Sequence, residues 1–261
     1  MAISVCYLMP RLLPTPSGAV VGGSAANCVL LAVELRRRKG IEVELLTSIW
    51  PDDADRLAGS PLAQILQPLT CGGKGLTGKG FGALYSLRRG LKTRLREKRF
   101  DVVHSHSGTY PYAVVSLAAD RRTSVRLHSL YCPLGAYGGV YSRWWDRPVL
   151  ARALFKRLDK VVAVTGNVRR SLEEAGLSSD RIESIPMCVD TQRFHPREHG
   201  KPLQYFRENG DSIRLLYIGN ASKEKGLISL LDAVKRLIDE RIRVSLVAAI
   251  ENQSRVKEYA A

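Results

Sequence analysis

The chain has 261 residues, of which 45% are hydrophobic and 12 are proline, so it can bury the core of one large or two ordinary domains and is not a disordered protein. Five cysteines without a close pair argue against a disulfide framework or a zinc site and predict a reducing, cytoplasmic setting. The formal net charge of +15 indicates an anionic partner, and composition alone leaves nucleic acid, acidic phospholipid and a phosphorylated substrate open.

The first predicted elements are a strand, a loop and a helix. The apolar run Ile3–Met9 is typical of a strand buried on both faces, and it lacks the basic leader of a signal peptide. A loop rich in proline and glycine follows from Pro10 to Gly23, and Ser24 is predicted to cap the first helix. That helix ends in basic residues, and Gly40 lies where a left-handed residue is expected. No stretch of the chain reaches the ~20 apolar residues that span a bilayer.

Strands and helices continue to alternate along the chain. Further strands are predicted at Glu42–Ile49, Phe100–Ser105, Thr123–His128, Lys160–Thr165 and Ile182–Ile185. Helices are predicted at Phe81–Lys98, after Pro111, at Pro148–Leu158 and at Val168–Ala175. This alternation predicts an α/β fold built on a doubly wound, parallel, Rossmann-type sheet.

The pattern restarts after a polar segment. We predict a strand at Ile213–Ile218, a helix at Lys225–Glu240 and a strand at Val244–Ala249. The predicted domains are therefore residues 1–196, a connector at 197–211, and the beginning of a second, incomplete Rossmann-type domain at 212–261. An exposed half-sheet at the last strand predicts poor solubility or self-association of the isolated chain.

Gly22 and Gly23 precede the first helix. Glycines at a helix start let backbone N–H groups approach a phosphate or a sugar closely. A turn that needs a positive φ explains the same pair equally well.

Two histidines follow one another at alternate positions of a predicted strand. The run Asp101–Gly108 places His104 and His106 on one side of that strand, at the carboxyl edge where ligands bind in such folds. The alternative is that they are core histidines whose ring nitrogens are hydrogen-bonded within the protein.

The segment Tyr217–Gly226 predicts a strand, a loop and a helix start. Lys225 lies where helix N–H groups already favour an anion, which suits the diphosphate of a nucleotide. The alternative is that Lys225 and the nearby Lys223 are solvated loop charges.

Two further charged patterns have structural and functional interpretations. Asp53 and Asp55 fit an Asp-x-Asp metal motif, although they also suit the cap of a short helix. The helix at Phe81–Phe100 has a leucine stripe that suits packing on the sheet, and a basic face that suits anionic lipid at ~1 kcal/mol per cation. The candidate membrane contacts on that face are Arg88, Arg89, Lys92 and Arg96.

Three segments in order resemble the hinge between the two domains of family-four-like glycosyltransferases of the GT-B fold. They are Asp159–Leu172, Ser184–Pro196 with its Val189-Asp190…Phe194…Pro196 pattern, and Leu215–Gly226 with Glu224-Lys225-Gly226. The resemblance implies a GT-B-like architecture, with an acceptor-side domain first and a nucleotide-sugar-binding domain second. It also implies retaining, metal-independent transfer of a sugar from a nucleotide sugar to a glycan or lipid-linked acceptor, with no cofactor.

The resemblance also assigns roles to residues. His106 would face the donor sugar as the catalytic candidate, and His128 matches a recurrent histidine that would lie on the acceptor side or elsewhere in the cleft. The donor-binding candidates are Gly22, Gly23, Asn220 and Lys225, with Asn220 standing where the family usually has an arginine. Related enzymes often use membrane-bound acceptors, which favours peripheral contact with the inner face of the membrane.

The family's two donor-holding glutamates, seven residues apart, have no counterpart in the second predicted domain. We therefore expect this chain alone to bind donor poorly and to turn over little. The alternative function is a non-catalytic module that binds an anionic glycan, lipid or protein partner. Nucleic acid is not an expected partner, because the sequence has no recognised reading helix or stacking motif.

Overall fold

The computed structural model describes residues 2–12, 22–49, 55, 57, 62–70, 81–135, 148–196, 213–219 and 225–250. The chain divides into two compact units, Met1–Phe194 and His195–Ala261. The predicted connector at 197–211 lies outside the described residues, and the predicted domain boundaries stay a prediction.

The first unit is built on a sheet of seven parallel strands in the order β3-β2-β1-β4-β5-β6-β7. The strands are β1 Ile3–Arg11, β2 Ile41–Ile49, β3 Leu66–Thr70, β4 Val102–Ser107, β5 Val125–Leu130, β6 Lys160–Ala163 and β7 Ile182–Ser184. The helices are α1 Gly23–Arg36, α2 Phe81–Glu97, α3 Ala113–Ser116, α4 Pro148–Phe155 and α5 Gly166–Glu174. The predicted α/β fold with a doubly wound parallel sheet is confirmed.

Both faces of the sheet are buried, as the apolar run of β1 predicts. Val5 and Tyr7 pack with Ala25 and Cys28 of α1 on one face. Cys6 and Leu8 pack on the opposite face, in the cluster that contains α2 residues. A third cluster surrounds β5, β6 and β7 and contains Phe155, Val161 and Leu172. Alternate residues of a strand point to opposite faces, so a continuous apolar strand is the expected centre of such a sheet.

Three local predictions need correction. Ser24 does not cap α1, because the N-cap residue is Gly22 and Ser24 lies in the first turn. The edge strand β3 was not predicted, since Pro68 interrupts its short apolar run. The helix after Pro111 is a single 3-10 turn followed by the one-turn α3. Gly40 does take the left-handed conformation at φ 80, three residues beyond the C-cap of α1.

The second unit contains the parallel strands β8 Ile213–Gly219 and β9 Val244–Ile250, with the helix α6 Leu227–Asp239 between them in the chain. Leu216, Ile218 and Val247 occupy one face of this small sheet and are exposed. The self-association expected from this sheet stays a prediction. Across all the described parts of the chain, every helix is too short or too polar to cross a membrane.

Candidate functional site

The strand order places a candidate site at the carboxyl ends of β1 and β4. The chain runs outward from β1 through β2 to β3, then returns to β4 on the other side of β1 and continues outward to β7, so the connections diverge between β1 and β4. In open α/β sheets the crevice at such a switch point binds the ligand. The helix α1 begins at Gly23 after β1, which brings its N-terminus to the same edge.

Tyr7, His104 and His106 lie on one face of the sheet at this edge. Tyr7 is paired with His104 across β1 and β4, and its ring centroid is 4.8 Å from that of His106. The two histidine rings are 4.1 Å apart. Both histidines are buried, His106 to 0% exposure.

The two histidines differ in their hydrogen bonds. His104 Nε2 lies 2.9 Å from Ser129 Oγ on β5, so the interpretation as a core histidine suits His104. His106 Nδ1 lies 3.0 Å from the hydroxyl of Tyr131, just after β5. His106 Nε2 is buried and has no hydrogen-bond partner among the residues that the structure describes. An unpaired polar atom inside a protein is uncommon and indicates a place where a ligand or water completes the hydrogen bonds.

Asn27 of α1 joins three parts of this edge. Its amide nitrogen donates to the Tyr131 hydroxyl at 2.8 Å. Its amide oxygen accepts from the backbone N–H of Cys188 at 2.8 Å and from the Cys188 thiol at 3.1 Å. Asn27 therefore holds together α1, the end of β5 and the segment after β7.

Burial determines the protonation of these groups. It lowers the pKa of His104 to about 3. It lowers the pKa of His106 well below its ordinary value, and the neighbouring His104 and His128 add to this effect. It raises the pKa of the Tyr131 phenol. At neutral pH the site therefore contains neutral imidazoles and a protonated phenol. These groups are uncharged and interact through hydrogen bonds.

His128 lies on the opposite face of the sheet from His106. It pairs in register with Ser105, and its Nδ1 is 2.8 Å from Ser105 Oγ. Ser116 of α3 donates to the same Ser105 hydroxyl. The His128 ring stacks on Phe155 at 5.8 Å, and burial lowers its pKa to about 3, with His104 contributing. The structure therefore does not bring His128 together with His106, and a role for His128 in the cleft stays a prediction.

Gly22 and Gly23 are exposed at the start of α1. Gly22 is the N-cap with φ 97 and ψ 129, so the interpretation as a turn with positive φ is correct for this residue. A Cβ built on Gly23 would meet no heavy atom of the described residues within 4 Å. The absence of a side chain at Gly23 is therefore not required by packing, and it leaves the helix N-terminus open to a ligand.

Lys225 belongs to the second unit and precedes the N-cap of α6. It is exposed, and its carbonyl oxygen accepts from the Tyr217 hydroxyl at 3.4 Å. The next residue, Gly226, takes the left-handed conformation that starts the helix. Asn220, Lys223 and Glu224 lie outside the described residues.

The four cations that we define as the basic face of α2 are all exposed: Arg88, Arg89, Lys92 and Arg96. The opposite side packs Leu87 and Leu91 into the core, as the leucine stripe predicts. Tyr85, one turn before this face, is 67% exposed. Two other cations are not part of it, because Arg94 and Lys98 form ion pairs with Glu44 of β2.

The Asp-x-Asp pattern lies only partly within the described residues. Asp55 is exposed and Asp53 lies outside the described residues. Within the described ranges, no group of three or more histidine, cysteine or acidic side chains has the geometry to hold a metal ion.

Asn27 is the residue of this site that the sequence did not suggest. It lies on α1 next to the buried Cys28, and no motif surrounds it. Its partners are 104 and 161 residues away in the chain.

Comparison with known sequences identifies relatives. The sequence model of the family described as Glycosyltransferase Family 4 matches residues 21–193. An uncharacterised 41.2 kDa protein in the cps region of Klebsiella pneumoniae is 24% identical over 163 residues, 61% of this chain and 46% of that protein. A GDP-mannose-dependent alpha-(1-6)-phosphatidylinositol dimannoside mannosyltransferase of Mycobacterium tuberculosis is 29% identical over 99 residues, 38% of this chain and 26% of that protein. The chain thus spans about half or less of the length of these relatives.

Comparison with solved structures identifies the fold. HepE of Anabaena, in complex with UDP and glucose, has a TM-score of 0.61 at 17% identity, covering 99% of this chain and 65% of HepE. UDP-GlcNAc 2-epimerase of Neisseria meningitidis, bound to UDP-GlcNAc, has a TM-score of 0.55 at 13% identity, covering 98% of this chain and 68% of the epimerase. At these identities the likeness concerns the fold alone, and it confirms the GT-B-like, Rossmann-type architecture.

Proposed function

The chain belongs to glycosyltransferase family 4, and from this premise we propose that it carries the acceptor-side domain and the beginning of the donor-binding domain of a retaining, metal-independent sugar transferase. The donor is a nucleotide sugar. The two structural relatives were solved with UDP or a UDP-sugar, and the mycobacterial relative is named for GDP-mannose. These ligands support the class of donor and leave the base and the sugar open.

The observation that carries the proposal is the buried, unpartnered Nε2 of His106 at the switch-point edge. Burying a polar group without a partner costs about 1–3 kcal/mol, so a ligand oxygen that pairs with it gains a corresponding part of its binding energy there. A sugar hydroxyl offers such an oxygen. His106 is neutral because of its burial, so its role is to orient the sugar by a hydrogen bond rather than to supply charge.

Charge on the departing diphosphate requires a different group. Sugar transfer builds negative charge on the leaving phosphate, and fixed cations and helix dipoles stabilise it without a metal. Lys225, exposed just before the N-cap of α6, suits this role. Gly22 and Gly23 would let the N-terminus of α1 approach the donor closely.

We also propose that the acceptor is a glycan or a lipid-linked molecule met at the cytoplasmic face of a membrane. The basic face of α2 is exposed, and each cation near an anionic surface contributes ~1 kcal/mol. The exposed Tyr85 beside it has the amphipathic character of residues that lie at the level of lipid headgroups.

The test is ligand binding followed by transfer. Saturation-transfer NMR on this chain with UDP-glucose, UDP-GlcNAc and GDP-mannose detects weak binding, which matters because we expect poor affinity from the chain alone. Radiolabelled donor is then supplied with a lipid extract, with and without EDTA. We expect binding of at least one nucleotide sugar that resists EDTA, and product with the anomeric configuration of the donor.

Each part of the proposal has its own contrary result. Inversion at the anomeric carbon overturns the retaining mechanism, and loss of binding or transfer in EDTA overturns metal independence. Failure of every nucleotide sugar to bind, together with salt-sensitive binding of anionic glycan or lipid, favours the non-catalytic module instead.

A further inference from the structure

The contacts around Tyr131 have a defined direction. The backbone N–H of Cys188 can only donate, so the oxygen of the Asn27 side chain must be the atom that faces it. The amide nitrogen of Asn27 therefore faces Tyr131, and it too can only donate. The phenol oxygen of Tyr131 thus receives a hydrogen bond from Asn27.

The Tyr131 hydroxyl can then donate its hydrogen bond to His106, the next residue in this series of hydrogen bonds. Burial raises the pKa of Tyr131, so the phenol keeps its proton. With its oxygen accepting from Asn27, the hydroxyl has His106 Nδ1 as its partner at 3.0 Å. If Nδ1 accepts, a neutral imidazole carries its proton on Nε2.

We propose that Asn27, acting through Tyr131, is a positioning residue that holds His106 in the Nε2–H tautomer, with Nε2–H ready to donate to an acceptor oxygen of the ligand. The Cys188 backbone sets the orientation of the amide, so the relay runs from Cys188 through Asn27 and Tyr131 to His106. Its value for sugar binding rests on the proposed function, whereas the tautomer itself does not. The relay also explains how a buried nitrogen is left with a proton and no partner among the described residues.

Asn27→Asp is the informative change, because it keeps the shape of the side chain and reverses its chemistry. An ionised carboxylate accepts from the Cys188 N–H as the amide does, but it cannot donate to Tyr131. The Tyr131 hydroxyl would then donate to Asp, and its oxygen would accept from His106 Nδ1–H. The proposal therefore predicts a switch of His106 from the Nε2–H to the Nδ1–H tautomer.

The experiment is ¹⁵N NMR of the whole chain with labelled histidine, at neutral to slightly alkaline pH. The ring nitrogens that carry and lack a proton have well-separated shifts, and His106→Gln assigns the His106 signals. We expect Nε2–H in the wild type, Nδ1–H in Asn27→Asp and a mixture in Tyr131→Phe. His104 and His128 are internal controls, because their contacts with Ser129 and Ser105 do not involve Asn27.

Two outcomes overturn the proposal. The first is a wild-type His106 that carries its proton on Nδ1, which needs no variant to fold. The second is a His106 tautomer unchanged in both Asn27→Asp and Tyr131→Phe while the His104 and His128 signals show that the fold is retained.

A binding measurement separates this proposal from the proposed function. UDP-glucose and GDP-mannose are titrated into the same labelled wild-type sample. If the ¹⁵N chemical shift of His106 Nε2 changes during the titration and that of His104 does not, both the positioning role of Asn27 and the proposed function are supported. If the His106 tautomer changes as predicted in the variants and neither nucleotide sugar binds, the relay is supported and the result counts against the proposed function.

Discussion

His106 Nδ1 lies 3.0 Å from the Tyr131 hydroxyl, while Nε2 of the same ring is buried without a partner in the part of the chain that the structure describes. One side of the ring is therefore fixed by the protein, and the nitrogen on the other side has a hydrogen bond still to form. His104, 4.1 Å away, has its Nε2 hydrogen-bonded to Ser129. Two histidines of one strand thus have different hydrogen-bond environments, which the sequence motif alone does not distinguish.

Three buried histidines in the described part of the chain, His104, His106 and His128, predict a loss of stability in mild acid. Burial lowers the pKa of each below its unfolded value of 6.5, so below that pH the unfolded chain binds protons that the folded chain does not. Stability therefore falls as pH drops below about 6.5, by ~1.4 kcal/mol per pH unit for each histidine. The loss continues towards about pH 3 for His104 and His128.

Urea unfolding at a series of pH values measures this effect. At about pH 5 we expect the free energy of unfolding to be lower than at neutral pH by ~2 kcal/mol for each of His104 and His128, with His106 adding to the loss. His128→Gln is the control, since it should reduce the pH slope by about a third whatever it does to stability at neutral pH. A free energy of unfolding that is constant between neutral pH and about pH 5 would contradict the prediction.

Thr47→Val is predicted to stabilise the first unit. Thr47 lies between Leu45 and Ile49 on the face of β2 that packs towards α1, and its buried hydroxyl has no hydrogen-bond partner among the described residues. Valine has nearly the same shape without the polar atom, so we expect a gain of about 1 kcal/mol in the free energy of unfolding.

A paired hydroxyl provides the contrast to Thr47. Ser124 Oγ donates to the Phe100 carbonyl at 2.6 Å, so Ser124→Ala should lose about 1 kcal/mol. Chemical denaturation of both variants tests the pair. A destabilised Thr47→Val would mean that its hydroxyl has a partner after all.

The sequence was sufficient to predict the alternation of strands and helices, because an apolar strand buried on both faces and an amphipathic helix leave distinct patterns. It missed β3, where Pro68 interrupts the run, and it placed the cap of α1 at Ser24 instead of Gly22. Both errors concern local geometry that the surrounding fold decides.

The candidate site was predictable only in part. His106 was found from a local run on one strand, and Gly22 and Gly23 from their place before a helix. The partners of Asn27 lie 104 and 161 positions away from it in the chain. These contacts therefore depend on the strand order and on no local sequence pattern. For the same reason the sequence did not reveal that His106 and His128 lie on opposite faces of the sheet.

The adjacent glycines Gly22 and Gly23 should respond differently to alanine. Gly22 has φ 97 and ψ 129, which alanine adopts only with strain of order 1–3 kcal/mol, so Gly22→Ala should destabilise the fold. Gly23 is the first residue of α1, and within the described ranges a Cβ there meets no heavy atom closer than 4 Å. Gly23→Ala should leave stability unchanged or raise it by up to ~1 kcal/mol.

Binding separates the two roles of this glycine pair. If a donor approaches the start of α1 closely, Gly23→Ala weakens nucleotide-sugar binding although the fold is intact. Thermal unfolding and saturation-transfer NMR are measured on both variants. Full binding by Gly23→Ala would mean that the donor does not approach Gly23.

Lys225→Ala is predicted to weaken nucleotide-sugar binding by roughly 10- to 100-fold. A charge-assisted hydrogen bond contributes about 1.5–3 kcal/mol, and the exposed side chain makes little contribution to folding. Lys235→Ala removes an equally exposed cation from α6 and is the matched control. The measurement is a titration with UDP-glucose or GDP-mannose, whichever the wild type binds. Equal loss in both variants would point to a general electrostatic effect and not to a phosphate contact at Lys225.

The basic face of α2 is predicted to bind anionic membranes. Its four exposed cations contribute ~1 kcal/mol each near an anionic surface, up to ~4 kcal/mol together, and the adjacent Tyr85 adds an aromatic ring at headgroup level. Cosedimentation with phosphatidylserine vesicles should therefore exceed that with phosphatidylcholine vesicles and should weaken as salt is added.

Replacing the four cations with glutamine tests whether this surface is specific. We expect the variant to lose vesicle binding by two to three orders of magnitude, in line with ~1 kcal/mol per cation. The control removes the same number of exposed positive charges elsewhere in the first unit, at Arg38, Lys39, Arg122 and Arg170. If α2 is the contact surface, the control keeps most of its binding, because charges far from the membrane are screened within about 10 Å. Equal loss in the two variants would show that the net charge of the chain, and not the basic face of α2, attracts it to the membrane.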